Sequence, residues 1–346
     1  MNRQAGDGNM DFDLRRLDAY LKEWLGGSAE TRVTRTSGGM SNPTYFVTRG
    51  GWRAVLRKQP NNVLMPSAHA IDREYRVLTA LEGSDVPTPR PYRYCADREV
   101  LGTPFYLMEW LEGRIVYDYA LPGFAREERT ACYRSMCTTL AAIHKLDYKA
   151  VGLGDFGKPG NYFARQLNRW SKLWGEYRRG DDDNPALDRM VRWLAERVPM
   201  SESLALCHGD FRMANLVFHP TEPRVVGVLD WELSTLGHPL VDLAFNSQAW
   251  RMAPDENGGL LGLPLDDMGI PSEQDHLDRY YECAGATERL TVFHQVFAMF
   301  RGAVGSAGVA ARGDLGNNVL PDAANVGRRL ARAYATRGMA LIESAP

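Results

Sequence analysis

At 346 residues, with 41 Lys+Arg against 43 Asp+Glu and a formal charge of −2, the chain is long enough for one large core or two moderate lobes. Near-neutral charge excludes a nucleic-acid partner as the default reading, and no apolar run reaches the roughly 18 residues of a membrane span. Five cysteines, Cys95, Cys132, Cys137, Cys207 and Cys283, are odd in number and lack CxxC spacing, which argues against a disulfide framework or a zinc ribbon. The opening residues lack a signal-peptide core, so the expected compartment is the cytoplasm.

In chain order, residues 1–7 are polar and read as an unstructured lead. Leu14, Leu17, Leu21 and Leu25 recur at helical spacing. From 32 to 57 the pattern changes to short β-prone runs, with strands expected over 44–48 and 52–57 and a hairpin turn at Arg49-Gly50-Gly51. Just before the first of these strands, Ser37-Gly38-Gly39-Met40-Ser41-Asn42 offers backbone N–H groups that could close over phosphates, with Gly38, Gly39, Ser41 and Asn42 as the candidates. It is not a GxxxxGK[ST] loop, so a P-loop fold is disfavoured. Residues 68–81 read as a helix, Pro87, Pro89 and Pro91 as a connector, and 100–111 as two more strands. From about Glu112 the chain reads as mostly helical, with an exposed loop at Asp181-Asp182-Asp183-Asn184-Pro185.

The helical stretch is interrupted by the most informative segment, His208-Gly209-Asp210-Phe211-Arg212-Met213-Ala214-Asn215, followed by Val228-Leu229-Asp230-Trp231-Glu232. The apolar run before Asp230 reads as a buried strand. Phosphoryl transfer has a loose transition state, so a protein mainly positions an acceptor hydroxyl and neutralises charge on the β and γ phosphates. A carboxylate that takes the acceptor proton, Asp210, and two hard oxygen ligands for Mg²⁺, Asn215 and Asp230, suit that chemistry. Arg212 is a second catalytic candidate, with the γ-phosphate, an anionic acceptor or solvent as its target. A rival metallohydrolase reading would gather His208, Asp210, His219 and Asp230 around zinc or iron, but His219 adjoins Pro220 in a turn that aims it away.

The order His208-Gly209-Asp210…Asn215…Asp230 resembles the aminoglycoside phosphotransferase and choline kinase superfamily, relatives of the protein kinases. The resemblance runs over nearly the whole chain. It is nearest to phosphotransferases akin to the kinase domain fused to some acyl-CoA dehydrogenases, through Asn161-Tyr162-Phe163-Ala164-Arg165-Gln166 and Leu229-Asp230-Trp231-Glu232-Leu233-Ser234-Thr235-Leu236-Gly237. It implies an α+β, two-lobed protein-kinase-like fold: a small mixed β-sheet N-terminal lobe over 1–111 and a larger, mainly helical lobe over 112–346. It also implies ATP as phosphate donor and Mg²⁺. The kinase pattern wants a cation on the third strand paired with a glutamate on the next helix. Arg57 and Glu74 fill these places, where most of the superfamily has lysine, and Val55 then shares the face of Arg57, where an adenine contact belongs. A register shifted by one would use Lys58. Met108-Glu109-Trp110-Leu111-Glu112-Gly113 resembles the hinge, with the Glu109 carbonyl and Leu111 amide reading adenine. Gly237-His238-Pro239-Leu240-Val241-Asp242-Leu243 resembles a segment whose usual aspartate is here His238 and whose Asp242 braces the catalytic loop, with His208 as the loop's scaffold.

The expected partner is a small-molecule hydroxyl acceptor, with no nucleic acid and no membrane; nothing identifies a protein partner. Phe163, Leu167, Trp170, Trp174 and Tyr177 form an apolar stripe, with Arg165, Arg169 and Lys172 on an adjacent face. A solvated basic face is the commonest meaning of such a triplet; the other reading is that basic residues beside aromatics suit an anionic or acyl acceptor, to which Arg301, Arg312 and the glycine-rich run 302–316 would add. A hydroxyacyl-CoA is the acceptor the resemblance implies. Aminoglycosides, macrolides and a silent pseudokinase stay open as alternatives.

Overall fold

The computed structural model describes residues 10–36, 42–61, 71–158, 160–178, 184–200, 203–314 and 322–345. The chain divides into one unit of Met1–Glu112 with Gly227–Glu232, and a second of Gly113–Val226 with Leu233–Pro346. The segment around Asp230 therefore groups with the N-terminal unit.

In the first unit, α1 (Leu14–Leu25) starts at Asp13, whose carboxylate accepts the Arg15 N–H at 2.9 Å, and ends at Gly26 with φ 73°. Leu17 and Leu21 are its buried pair. They pack on a five-stranded sheet of β1 (Thr31–Arg35), β2 (Thr44–Arg49), β3 (Trp52–Lys58), β4 (Pro91–Cys95) and β5 (Phe105–Glu109), in the order β1-β2-β3-β5-β4. Every pairing is antiparallel. The β2–β3 hairpin turns at Gly50, in the left-handed region at φ 57°. Strand alternation puts Ala54, Leu56 and Lys58 on the face under α1, and Val55 and Arg57 on the other. The connection from β3 to β4 contains α2 (Ile71–Leu81), and α3 (Arg98–Leu101) links β4 to β5.

Two expectations need correction. Among the described residues, 100–111 supplies one strand, β5: Val100 and Leu101 instead lie in α3, which Asp97 caps by accepting the Glu99 N–H and Gly102 closes at φ 80°. The other strand is β4, in the stretch whose prolines suggested a connector. It lies at the sheet's edge and Pro91 is its first residue, where a missing N–H costs least.

The second unit holds β6 (Arg114–Ile115), α4 (Arg126–Lys145), α5 (Tyr162–Tyr177), α6 (Pro185–Ala195), β7 (Ala205–Cys207), β8 (Leu216–Phe218), the start of β9 (Val225–Val228), β10 (Thr235–Gly237), α7 (Leu240–Ser247), α8 (Leu265–Met268), α9 (Glu273–Ala284), α10 (Val292–Asp314) and α11 (Ala323–Glu343). β7 pairs antiparallel with β10, and β6, β8 and β9 form a second small sheet in that order. The apolar stripe of α5 enters the main core: Phe163, Leu167 and Trp174 are buried in one cluster with Phe297, Phe300 and Tyr334 from α10 and α11, and Trp170 and Tyr177 pack against that cluster. Gly302 and Gly308 of α10 belong to that packing rather than to a ligand loop. A Cβ at Gly302 or Gly308 would come within 2.8 Å of the rings of Tyr334 and Tyr177 respectively. No helix among the described residues is long and apolar enough to cross a membrane.

Candidate active site

In the first unit, Arg57 is surrounded by carboxylates. Its Nε lies 2.9 Å from Glu74 Oε2, and its Nη2 lies 2.6 Å from Asp230 Oδ1 and 3.5 Å from Glu232 Oε2. The approach to Glu74 is an ion pair without an aligned hydrogen bond. The other oxygen of Glu74 accepts the Trp231 N–H at 3.2 Å, tying α2 to the turn after Asp230. Burial opposes the charge on Arg57, but Glu74 and then Asp230 more than offset it and hold the guanidinium well above its ordinary pKa. Burial pushes the Glu74 carboxyl up; Arg57 opposes that shift and the charge of Asp230 adds to it. Asp230 is a non-glycine residue at φ 66°, a conformation costing roughly 1–2 kcal/mol that aspartate tolerates better than most. One cation thus faces three carboxylates. The carboxylate oxygens of Asp230 and Glu232 are hard donors of the kind a divalent cation such as Mg²⁺ would take. Asn42 donates to Glu232 Oε2 at 3.3 Å.

Lys58 is buried on the opposite face, where its Nζ lies 2.7 Å from Asp11 and 2.9 Å from Asn61. The pairing with Glu74 is made by Arg57. Val55 and Met108 sit opposite each other across β3 and β5, and Trp110 stacks on Phe46 with ring centres 4.1 Å apart. The Glu109 N–H donates to the Arg90 carbonyl at 2.8 Å, leaving its carbonyl as the adenine candidate; Leu111 is half-buried. Gly38, Gly39 and Ser41 lie outside the described residues.

In the second unit, the segment after β7 forms a tightly held loop. Gly209 turns at φ 84°, and a Cβ there would lie 2.5 Å from the Leu233 carbonyl oxygen. Asp242, fully buried at the start of α7, accepts the His208 N–H at 2.6 Å and the Gly209 N–H at 2.9 Å with separate oxygens. Burial alone would raise the Asp242 carboxyl; hydrogen bonding and charge from His144, with His208 and Gly209, bring it below the usual range. His208 accepts the Asp210 N–H on Nδ1 at 3.2 Å, a scaffold contact. The Asp210 Oδ2 receives Asn215 Nδ2 at 2.8 Å and Arg212 Nε at 3.1 Å. Asn215 Nδ2 also reaches the Asp210 carbonyl at 2.8 Å, which leaves the amide oxygen as its ligand atom. A cavity of about 280 Å³ beside the loop is lined by Tyr117, Asp118, Tyr119, Arg212, Ala214 and Asn257. A larger one, about 380 Å³ and lined in part by Asp11, Arg16 and Asn61, lies on the Lys58 side of the sheet in the first unit, away from Arg57.

One expectation about the second unit, the place of Arg301, changes. Arg301 is buried and donates from Nη2 to the Gly209 carbonyl at 2.8 Å, so it belongs to the catalytic loop rather than to an open basic face. Arg169 and Lys172 are exposed, Arg165 binds the Lys158 carbonyl, and Arg312 is exposed. His219 Nδ1 accepts N–H groups of Thr221 and Glu222 within its own turn. His238 is buried, 3.1 Å from Glu288, and burial lowers its pKa. Sequence reasoning missed His144 at the end of α4, whose Nε2 lies 3.4 Å from Asp242 and whose Nδ1 lies 2.6 Å from the Tyr280 hydroxyl. It also missed Tyr119, whose hydroxyl accepts the Met213 N–H at 3.4 Å. Neither carries a local motif that would have marked it.

Residues 32–281 match the phosphotransferase enzyme family. The chain is 41% identical over 323 residues to acyl-CoA dehydrogenase family member 11 of Mus musculus, covering 90% of this chain and 41% of that protein. It thus spans about two fifths of the length of the curated relative. A solved structure from Ralstonia eutropha, titled "putative aminoglycoside phosphotransferase", is 38% identical, with a TM-score of 0.84 over 97% of this chain and all of that one. A ternary complex of aminoglycoside phosphotransferase APH(4)-Ia with AMP-PNP and hygromycin B shares the fold at a TM-score of 0.60 and 19% identity, covering 93% and 98% of the two chains. The architecture, a small antiparallel sheet with many helices, is the aminoglycoside phosphotransferase kinase-like fold. Since the match takes in both the Arg57–Glu74 pair and the loop of Asp210, the chain belongs to the phosphotransferase enzyme family.

Proposed function

We propose that the chain transfers the γ-phosphate of ATP to a hydroxyl group of a small metabolite, with Asp210 as the base. One observation carries this reading: the Asp210 carboxylate is held by Asn215 and Arg212 on a loop whose backbone N–H groups are clamped by Asp242. As the acceptor oxygen bonds to the γ-phosphorus, its proton passes to Asp210 and the bond to the bridging β–γ oxygen breaks, releasing ADP. Arg57, kept charged by Glu74, binds phosphate oxygens, and Arg212 steadies Asp210 and the incoming group. Asn215 and Asp230 are the residues that would each offer an oxygen to Mg²⁺, which would supply charge neutralisation on the β and γ phosphates. Gly38, Gly39, Ser41 and Asn42 are the proposed phosphate loop, Val55 the adenine contact, and Glu109 and Leu111 the adenine-reading backbone.

For the acceptor, a hydroxyacyl-CoA is the leading reading, supported by the identity to proteins named for acyl-CoA dehydrogenation. The aminoglycoside reading draws on the names of the structural relatives. The deciding experiment measures Mg²⁺-dependent ADP release against hydroxyacyl-CoAs, aminoglycosides, macrolides and choline. Stimulation by a hydroxyacyl-CoA is expected. Stimulation by an aminoglycoside alone would overturn the acceptor assignment, and nucleotide binding with no stimulated turnover would favour a pseudokinase.

A further inference from the structure

Arg301 is 8% exposed on α10, and its guanidinium carbon lies 5.4 Å from the ring centres of both Trp170 and Phe245. Nη2 donates to the Gly209 carbonyl at 2.8 Å. Nε and Nη1 are buried with no hydrogen-bond partner among the described residues, and no carboxylate there pairs with the guanidinium. On the other side of the same residue, Asp242 takes the Gly209 N–H. Gly209 is therefore gripped at both its N–H and its carbonyl, and that carbonyl belongs to the peptide that carries Asp210.

We propose that Arg301 is a positioning residue: by holding the Gly209–Asp210 peptide plane against α10, it fixes the direction in which Asp210 presents its carboxylate. The inference rests on Asp210 acting as the base. The energetics of the site support it. A guanidinium taken out of water needs a counter-ion and a full set of acceptors to recover its desolvation. Arg301 has two aromatic faces and one carbonyl. An apolar side chain of similar length would spare the desolvation of the guanidinium and so offset the one hydrogen bond lost to the Gly209 carbonyl, whereas only a long cationic donor reaches that carbonyl. Stability and turnover should part ways at this residue, as they do not at an ordinary structural brace.

The test compares wild type, Arg301→Met and Arg301→Lys in melting temperature, in KM and kcat, and in hydrogen exchange of the peptide spanning 208–215. Arg301→Met is expected to keep or raise the melting temperature and leave KM for ATP unchanged. It should lower kcat by about tenfold or more, as for a base displaced by a fraction of an ångström, and speed exchange in 208–215 alone. Arg301→Lys should recover part of kcat. A melting temperature that falls in step with kcat, or unchanged kcat and loop exchange, would overturn the proposal. If wild type transfers phosphate to no acceptor, the proposed function fails on its own, and loop exchange still decides Arg301: unchanged protection removes the positioning role.

Discussion

Replacing Asp242 by asparagine should be among the most damaging single-atom changes in this protein. The carboxylate accepts two backbone N–H groups, from His208 at 2.6 Å and Gly209 at 2.9 Å, each on its own oxygen and with no solvent access. Asparagine turns one oxygen into an NH₂ group, so one of those N–H donors faces another donor. Losing a charge-assisted hydrogen bond costs about 1.5–3 kcal/mol, and a stranded buried N–H about 1–3 kcal/mol more. Together that is about 2.5–6 kcal/mol, a large part of the 5–15 kcal/mol typical of a domain. The carboxyl lies below its usual range despite complete burial, so its partners outweigh desolvation. A folded pKa below the unfolded one gives stability that is present above the unfolded value near 4 and lost as pH falls through the folded value. Asp242→Asn should lose that acid-dependent component. The assay is urea unfolding at neutral pH together with steady-state transfer. We expect the midpoint to fall with the slope unchanged, and kcat to drop by about 100-fold from misplacement of Asp210. A stability loss below about 1 kcal/mol with undiminished kcat would refute the idea that Asp242 holds the loop.

Gly209→Ala combines a left-handed φ of 84° with a Cβ 2.5 Å from the Leu233 carbonyl. The conformation alone costs about 1–2 kcal/mol, so a lower melting temperature and loss of transfer are expected, and an unchanged melting temperature would contradict the geometry. Arg57→Met removes the guanidinium that faces Glu74, Asp230 and Glu232. Calorimetry should find about 3–5 kcal/mol less stability and weaker ATP binding, whereas tight binding would mean that another cation serves the phosphates. Burial lowers His276 to about 3, and burial with the nearby His238 lowers His294 to about 4. Because these imidazoles stay neutral in the fold while the unfolded chain takes up protons below about 6.5, each should remove about 1 kcal/mol per pH unit as pH falls from 6.5 toward 4. Stability flat between pH 7 and 5 would contradict their burial.

The residues around Asp210 were legible because their chemistry is written contiguously, and the apolar stripe of α5 because it repeats at helical period. β4 was misread since proline weighs locally against a strand, while its tolerance depends on an edge position that only the sheet order reveals. In the sequence Arg301 stands among glycines and near other basic residues, a setting that points to an acceptor contact. Its true partner, the Gly209 carbonyl, lies 92 residues away and is brought to it by packing of α10. His144 and Tyr280 meet across a separation of 136 residues, with no local pattern to announce it. Long-range polar contacts of this kind depend on tertiary packing, which hydrophobic period does not encode.

The most direct test of phosphoryl transfer is label from γ-³²P-ATP followed into a small-molecule product, with Mg²⁺, for wild type, Asp210→Asn and Asp230→Asn. Labelled product is expected from wild type only. Asp210→Asn should still bind nucleotide, and Asp230→Asn should lose the Mg²⁺ dependence of that binding. Undiminished transfer by Asp210→Asn would contradict the central claim.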